Sequence, residues 1–400
     1  MDANKLKILY ITQKVDINDD LLGPIYYWLA NLAGKIQHLD VICLIKGESR
    51  LPANASVHSL GKESGQNDFK YLFKFYQICL PLIFGSPRFP SRLGRAEADG
   101  EPGKKIDGIF IHMNQVYVYL LLPLWPILKF FNIPVILWKA HGNLNWSAKL
   151  ARFFVDKVVT SVAVAYNIDT PKRKIIGQGI DTQKFRPLPD HQPISGQVNI
   201  GVIGRVSSVR RYDLLLNAVS QVIKELPELK LKVSVFGDAI EGRVSDYFDN
   251  IIKLRDQLNL NQIVEFCGRK RNFELPDLIN QQDFMVNPGG SNSLDKAIVE
   301  SMACAKIVVD SNAASWEILQ VSGLKEQEKQ LFLFNRGQAA DLAQKIKNVI
   351  NLSVAEREVI GAKLRELVVK NHDVNHLNEK IIETIMSLRG TERKRGDEAI

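Results

Sequence analysis

The chain has 400 residues, of which 46% are apolar and 24% charged, and a formal net charge of +8. At about 100 to 200 residues per domain it holds two or more domains, with enough apolar residues for two sizeable cores. The positive charge comes without a helix-turn-helix, a zinc finger or an aromatic-basic RNA motif, which argues against nucleic acid as a partner. Cys43, Cys79, Cys267 and Cys304 lack CxxC spacing, which argues against a disulfide framework or a zinc site and points to a reducing cytoplasm.

The N-terminus passes straight into an apolar strand at 7–12, with no signal-peptide stretch before it. Further strands are expected at 39–45, 57–60, 108–113, 134–138, 157–161 and 174–177. Asp16, Asp19 and Asp20 follow the first strand, but their spacing lacks a Ca²⁺-loop pattern; Asp20-Leu21-Leu22-Gly23 opens the first helix. Residues 69–84, FKYLFKFYQICLPLIF, mix aromatics with Lys70 and Lys74. That pattern fits an amphipathic helix at a lipid interface, and equally a helix packed on its own sheet. The segment 88–105, rich in Pro, Gly, Arg and Glu, reads as a mobile loop.

The longest apolar run, 116–138, is interrupted by Pro123, Pro126, Lys129, Asn132 and Pro134. About a dozen uninterrupted apolar residues are left where a membrane span needs roughly 20. A buried helix, a turn at Asn132 and a strand are expected there instead, with His141 just beyond the strand. Pro187, Pro189 and Pro193 preclude regular structure in a linker. Strands then recur from 198 and at 231–236, 263–266, 284–287, 307–309 and 331–334. The alternation of apolar strands with helical patterns argues for two doubly wound α/β units. The expected division is a first domain over 1–186, a linker over 187–197, a second domain over 198–370, a final helix over 371–388 and a flexible tail over 389–400.

Residues 283–309, DFMVNPGGSNSLDKAIVESMACAKIVV, read as a buried strand, a glycine turn and a helix. Such a turn, here Gly289-Gly290-Ser291-Asn292-Ser293, leaves backbone N–H groups aimed at one spot where a phosphate can bind. Glu300 lies too far along the helix for phosphate, but its carboxylate can accept a pair of hydroxyl hydrogens from a ribose or hexose. Taken alone this is also an ordinary strand-to-helix turn. Upstream, an apolar strand ends at Gly204, and Arg205 and Arg210 fall in the loop that follows. Two guanidiniums there would neutralise a diphosphate and stabilise its growing charge as a leaving group. Phosphate cradle, diol acceptor and guanidiniums together suggest a nucleotide sugar.

At these residues the chain resembles the family 4 glycosyltransferases, retaining enzymes of the GT-B fold, and the resemblance covers nearly its whole length. Gly204-Arg205, then Arg210 where lysine is usual, then Tyr212-Asp213-Leu214-Leu215-Leu216, is similar to the family's GR-x4-K segment and D-L-L-L helix. IGQGIDTQKFRP at 176–187 resembles the family's I-P-N-G-V-D-x-x-x-F-x-P stretch, and Ile298-Val299-Glu300-Ser301-Met302-Ala303-Cys304-Ala305 its L-x-E-A-M-A-C-G. The family usually carries two glutamates seven residues apart; here the first position is Asn292.

The resemblance implies two Rossmann-like domains facing across a cleft, acceptor on the first and nucleoside diphosphate sugar on the second, with the final helix crossing back onto the first domain. Gly204, Gly290, Asn292, Ser293, Leu294 and Glu300 would hold the donor. The N–H groups of Ser293 and Leu294 would assist departure, Glu300 would clamp the ribose, and Asn292 would alter the sugar contact. Arg205, Arg210 and His141 would act on the reacting groups, and Gly23 would lie near the acceptor. No metal or other cofactor is implied, because the arginines take the metal's role. A glycan or lipid-linked acceptor, a role in cell-envelope polysaccharide or glycolipid synthesis, and a cytoplasmic protein with peripheral contact at the inner face of the membrane are the corresponding expectations. A GT-B epimerase and a non-catalytic binding subunit stand as alternatives. A nicotinamide enzyme does not fit, since no G-x-G-x-x-G opens either domain.

Overall fold

The computed structural model describes residues 2–19, 22–65, 68–84, 106–189, 196–238 and 246–397. The expected loop 88–105, Asp20 and Leu21, and positions 190–195 of the expected linker lie outside the described residues.

Seven strands form the first sheet: β1 (Lys7–Val15), β2 (His38–Lys46), β3 (Ala55–Ser59), β4 (Gly108–His112), β5 (Val135–Trp138), β6 (Lys157–Thr160) and β7 (Arg173–Ile175), in the order β3-β2-β1-β4-β5-β6-β7. Five form the second: β8 (Val198–Ile203), β9 (Leu231–Phe236), β10 (Val264–Phe266), β11 (Phe284–Asn287) and β12 (Val308–Asp310), in the order β10-β9-β8-β11-β12. Every pairing in both sheets is parallel. Helices cover both faces of a parallel sheet, so its inner strands read as unbroken apolar runs. GIFIH of β4 and VILW of β5 are buried at every position.

On one face of the first sheet lies α1 (Gly23–Ala33); on the other lie α2 (Asp68–Phe84), α3 (Val116–Leu120), α4 (Trp125–Phe130) and α5 (Trp146–Ala151). The single helix expected after residue 116 is two, α3 and α4, joined by a 3-10 turn at Leu122–Leu124, because Pro123 and Pro126 each lack the N–H a continuous helix needs. Asn132, where a turn is expected, takes the left-handed conformation at φ +51°. The second domain continues with α6 (Tyr212–Glu225), α7 (Asp246–Gln257), α8 (Leu275–Asn280), α9 (Lys296–Ala303), α10 (Ala313–Leu319), α11 (Glu326–Gln330), α12 (Ala339–Ile350) and α13 (Val354–His372). The strand expected at 331–334 is reduced to one bridge, Asp310 to Leu333, because α11 runs almost up to it and Gly337 turns the chain away at φ +82°.

The last helix, α14 (Val374–Asp397), passes through the residues expected as a flexible tail. Arg389, just past the expected helix end at 388, donates to the Asp107 carbonyl at 3.0 Å and pairs with its carboxylate at 3.0 Å, tying this end to the first sheet. Asn378 donates to the Trp28 carbonyl at 3.0 Å and Asn31 to Asn375 at 2.7 Å, so α14 packs along α1. Among the described residues no helix is long and apolar enough to cross a membrane.

The chain leaves the first core at Ile176 and joins the second at Ile180 and Phe185, so it crosses between the domains at 177–185, ahead of the expected linker 187–197. Gly177 (φ +92°) has no room for a side chain: a Cβ would lie 2.1 Å from the Asn371 carbonyl oxygen. Ile180 exchanges backbone hydrogen bonds with the α13–α14 junction, donating to His372 (2.6 Å) and accepting from Val374 (2.9 Å), and the Trp28 indole donates to Gly179 at 2.7 Å. A second tie is Glu317 of α10, whose carboxylate accepts the backbone N–H groups of Ala163 (2.6 Å) and Val164 (2.9 Å).

Arg365 of α13 holds the crossover to the end of α9. It donates to the carbonyls of Phe185 at 3.0 Å, Thr182 at 3.4 Å and Ala303. Arg365→Met should cost about 2 kcal/mol, since charged donors are removed from partly buried carbonyls. A fall in the urea midpoint at unchanged slope would show it; a parental midpoint would mean that water serves these carbonyls as well.

Candidate functional site

In each sheet the strand order reverses once, between β1 and β4 and between β8 and β11. Beyond the carboxyl ends of such a pair the connections leave in opposite directions, and a crevice opens. The sequence motifs fall at the second of these points. β8 runs into Gly204 and Arg205, and β11 into Gly289. The Gly204 carbonyl accepts from the Tyr212 hydroxyl at 2.6 Å, which fixes the end of β8 against the start of α6.

A buried polar network carries the loop 288–294. Asn287 donates to the Gly289 carbonyl (3.1 Å) and to the Asp310 carboxylate (2.8 Å), which also accepts from Ser315. Asn312, the N-cap of α10, donates to Ser291 Oγ (3.2 Å) and the Ser293 carbonyl (2.7 Å). Burial pushes the Asp310 carboxyl up to about 6.

Two donors read from sequence as open to phosphate are already engaged. Arg210 forms an ion pair with Asp295 and reaches Asn287 at 3.4 Å. Asp295 is itself the N-cap of α9, accepting from Ala297 N–H at 3.3 Å, so the end of that helix holds a carboxylate of the protein. The Ser293 N–H bonds to Ser291 Oγ at 3.2 Å. Arg210 therefore braces the loop through Asp295, whereas Arg205 is exposed, with no partner among the described residues.

A third arginine escaped the sequence reading. The stem of Arg336 lies against Gly290, where a Cβ would fall 2.9 Å from its Cδ and Nε. Its guanidinium is exposed and, among the described residues, has no partner. Only the turn residues Asn335-Arg336-Gly337 mark it in sequence, and nothing local links them to Gly290.

Glu300 is buried at 5% exposure, one helical turn after Lys296. Lys184, from the crossover, donates to Asn272 at 2.6 Å and stands over the Tyr27 ring at 4.9 Å. Burial pushes the Glu300 carboxyl up to about 7, although Lys296, Lys184 and a hydrogen bond from Asn272 favour its charge. Across the cleft Lys296 meets the Trp28 ring at 5.9 Å. Below it His112, at the end of β4, shares a hydrogen bond with Thr12 at 3.3 Å; burial, then Lys296 and Lys139, drive its pKa down to about 3 and keep the ring neutral.

His141 is exposed beyond β5, and its Nδ1 accepts from the Asn143 N–H at 3.2 Å, which leaves Nε2 to carry the proton of the neutral ring. Gly142 touches the other domain: its N–H donates to Ser293 Oγ at 3.2 Å, and a Cβ on it would lie 2.3 Å from that of Asn292. The structure thus seats Gly142, the neighbour of His141, against Asn292 and Ser293, and Leu294 is buried. Gly23 starts α1, its N–H on the Asp19 carbonyl at 2.7 Å; it packs on its own loop, and Trp28 is the α1 residue that reaches Lys296. Asp16 and Asp19 are tied to Lys14 at 3.0 and 2.8 Å. Among the described residues no group of three or more His, Cys, Asp or Glu could hold a metal ion.

Residues 197–352 match the family described as glycosyl transferases group 1. D-inositol 3-phosphate glycosyltransferases are similar over part of the chain. The Kineococcus radiotolerans protein is 25% identical over 153 residues, 36% of this chain and 35% of that one; the Rhodococcus erythropolis protein is 26% identical over 150 residues, 36% and 34%. The match spans about a third of the length of these curated relatives. Over the whole chain the fold resembles a Rickettsia africae glycosyltransferase (TM-score 0.65, 16% identity, 96% of this chain and 99% of that one). It also resembles a Thermosynechococcus elongatus sucrose-phosphate synthase (0.70, 15%, 97% and 100%) and S. aureus TarM solved with UDP (0.60, 12%, 95% and 99%). At such identities the likeness shows the fold, which is GT-B.

The Glu300 environment makes stability depend on pH. Below about pH 4.5, the carboxyl's ordinary value, it is protonated in the folded and unfolded chain alike. Between there and about 7 only the folded chain keeps the proton, so stability falls as pH rises; above about 7 the penalty is constant. Glu300→Gln should match the parent near pH 4.5 and exceed it at about pH 8 by up to ~3 kcal/mol. Denaturant titrations at the two pH values measure this, and equal stability at both would mean that the charged carboxylate is satisfied by its lysines.

Proposed function

We propose that this chain, whose residues 197–352 form a glycosyl transferases group 1 domain within a GT-B fold, moves a sugar from a nucleoside diphosphate donor to an acceptor hydroxyl with retention of configuration. The observation that carries this reading is the pair of exposed guanidiniums, Arg205 and Arg336, at the β8–β11 crevice whose loop 288–294 is held rigid from beneath. Preorganised cations at a point where a diphosphate gathers charge lower the barrier to its departure without reorganisation. Arg210 acts as a positioning residue, through Asp295. The Leu294 N–H assists the leaving group, and Gly204, Gly290, Asn292 and Ser293 shape its bed.

Glu300 accepts the ribose hydroxyls, which favours its ionised form. His141 Nε2 donates to the donor sugar. The bond from the anomeric carbon to the diphosphate oxygen breaks with its electron pair going to the diphosphate. The acceptor hydroxyl, entering from the Gly23 and Trp28 side on the same face, forms the new bond and passes its proton to a diphosphate oxygen. No protein nucleophile is needed, and the guanidiniums do the work of a metal, so transfer should persist in excess chelator. The names of the relatives and the UDP seen with TarM support a nucleotide donor and a hydroxylated acceptor. The acceptor belongs to a glycan or lipid-linked pathway of the cell envelope, served from the cytoplasmic side.

Arg205→Ala should lower turnover by about two orders of magnitude, as loss of one preorganised charge donor does. Calorimetry with UDP, GDP and ADP in the absence of metal should find one nucleotide bound tightly by the parent chain; none bound would favour a non-catalytic subunit. Arg336→Ala should weaken that nucleotide about tenfold, near 1.4 kcal/mol, while leaving the melting midpoint unchanged. Parental affinity in this variant would remove Arg336 from the site.

A further inference from the structure

The crevice between β1 and β4, on the first domain, carries chemistry that departure of the donor's diphosphate does not use. Beneath it Thr12 of β1 and His112 of β4 share their hydrogen bond. Just beyond His112, Met113 takes the left-handed conformation at φ +64°, a strained one for a bulky side chain. Its carbonyl accepts from Lys139 Nζ, just past β5, at 3.0 Å, and Gln115 Oε1 accepts from the same ammonium at 3.0 Å. Gln115 is fixed in turn by donating to Ser147 Oγ at 2.9 Å. An ammonium has three N–H donors, so Lys139 is held by two and has a third to give.

From the other domain Lys296 reaches the same crevice. Its ammonium stands 5.9 Å from the centre of the Trp28 ring, which is locked by its bond to the Gly179 carbonyl and by edge-on packing against His112 (5.7 Å) and Trp138 (5.1 Å). Both ammoniums lie close enough to His112 to disfavour its charged form. Both are half-buried, and among the described residues neither forms a salt bridge and Lys296 Nζ makes no hydrogen bond. The carboxylates that face Lys296 are Glu300 and Asp295, of which Asp295 is taken by Arg210 and Glu300 is shared with Lys184. Burial lowers the Lys139 pKa with no carboxylate to offset it, and the acids after β1, Asp16 and Asp19, are held by Lys14. Two half-buried ammoniums that converge with no carboxylate reserved for them make a site for an anion.

We propose that the β1–β4 crevice binds a phosphate monoester carried by the acceptor, gripped by Lys139 of one domain and Lys296 of the other. The acceptor enters on the strength of the sugar-transfer reading, whereas the anion site stands on its own residues. Lys296 precedes Glu300 by one helical turn, so the acceptor's phosphate and the donor's ribose are read from the same helix, α9.

Calorimetry on the full chain, with glycerol 3-phosphate as the probe, tests the site. The ester should bind and glycerol should not. Lys139→Met should weaken the ester about tenfold or more, as loss of a charged donor does. Lys296→Met should do the same, and reads the site should Lys139→Met melt early. The double variant Arg205→Ala, Arg336→Ala, which strips the β8–β11 crevice of its exposed guanidiniums, should bind the ester like the parent. No ester bound by the parent chain, or parental affinity in both lysine variants, would overturn the proposal. Binding of inorganic phosphate without the ester would assign the crevice to the free ion and overturn the acceptor's part in it. Nucleotide calorimetry reads the other crevice, so a chain that binds the ester and no nucleotide would sink the sugar-transfer reading and keep the anion site.

Discussion

Where the chain crosses between its domains, Ile180 and the α13–α14 junction exchange backbone hydrogen bonds, and Gly177 approaches Asn371 too closely for any side chain. Main chain against main chain is the stiffest contact a linker can make, because no rotamer can yield. It directs the carboxyl ends of both sheets at one another and brings α14 back along α1. The contact of Gly142 with Asn292 and Ser293, across the cleft, follows from that alignment.

Within the cleft, burial and charge oppose each other. Glu300 has Lys296 and Lys184 for neighbours, yet loss of water raises its pKa further than the lysines lower it. A buried carboxyl in this position keeps its proton until about pH 7 although two lysines stand beside it. Asp310 is in a milder version of the same position, held by Ser315 and Asn287 beneath the loop 288–294. Arg210 shows the reverse. A nearby carboxylate, Asp295, takes up its charge, and a residue that reads as a ligand contact becomes a brace.

The fold was legible because parallel strands buried on both faces announce themselves as apolar runs, and glycine turns mark their carboxyl ends. The strand ends before Gly204-Arg205 and before the turn at 288–294 were placed this way, and the helix that carries Glu300 by the spacing of its apolar residues. What escaped is long-range. The Arg210–Asp295 pair joins residues that no helical or strand period relates, and Arg336 reaches Gly290 only because the chain between them folds back through β12 and α11. Pattern reading also ended the last helix too soon: its polar final turns resemble a tail, and Arg389 tied to Asp107 is visible only in three dimensions.

α10 joins two contacts that sequence keeps apart. Its N-cap, Asn312, holds the loop at Ser291 and Ser293, and one turn further along, Glu317 grips the backbone of Ala163 and Val164 in the other domain. One helix of seven residues therefore carries both the support of the loop and a tie between the domains, and a substitution that unwinds it would release the two together.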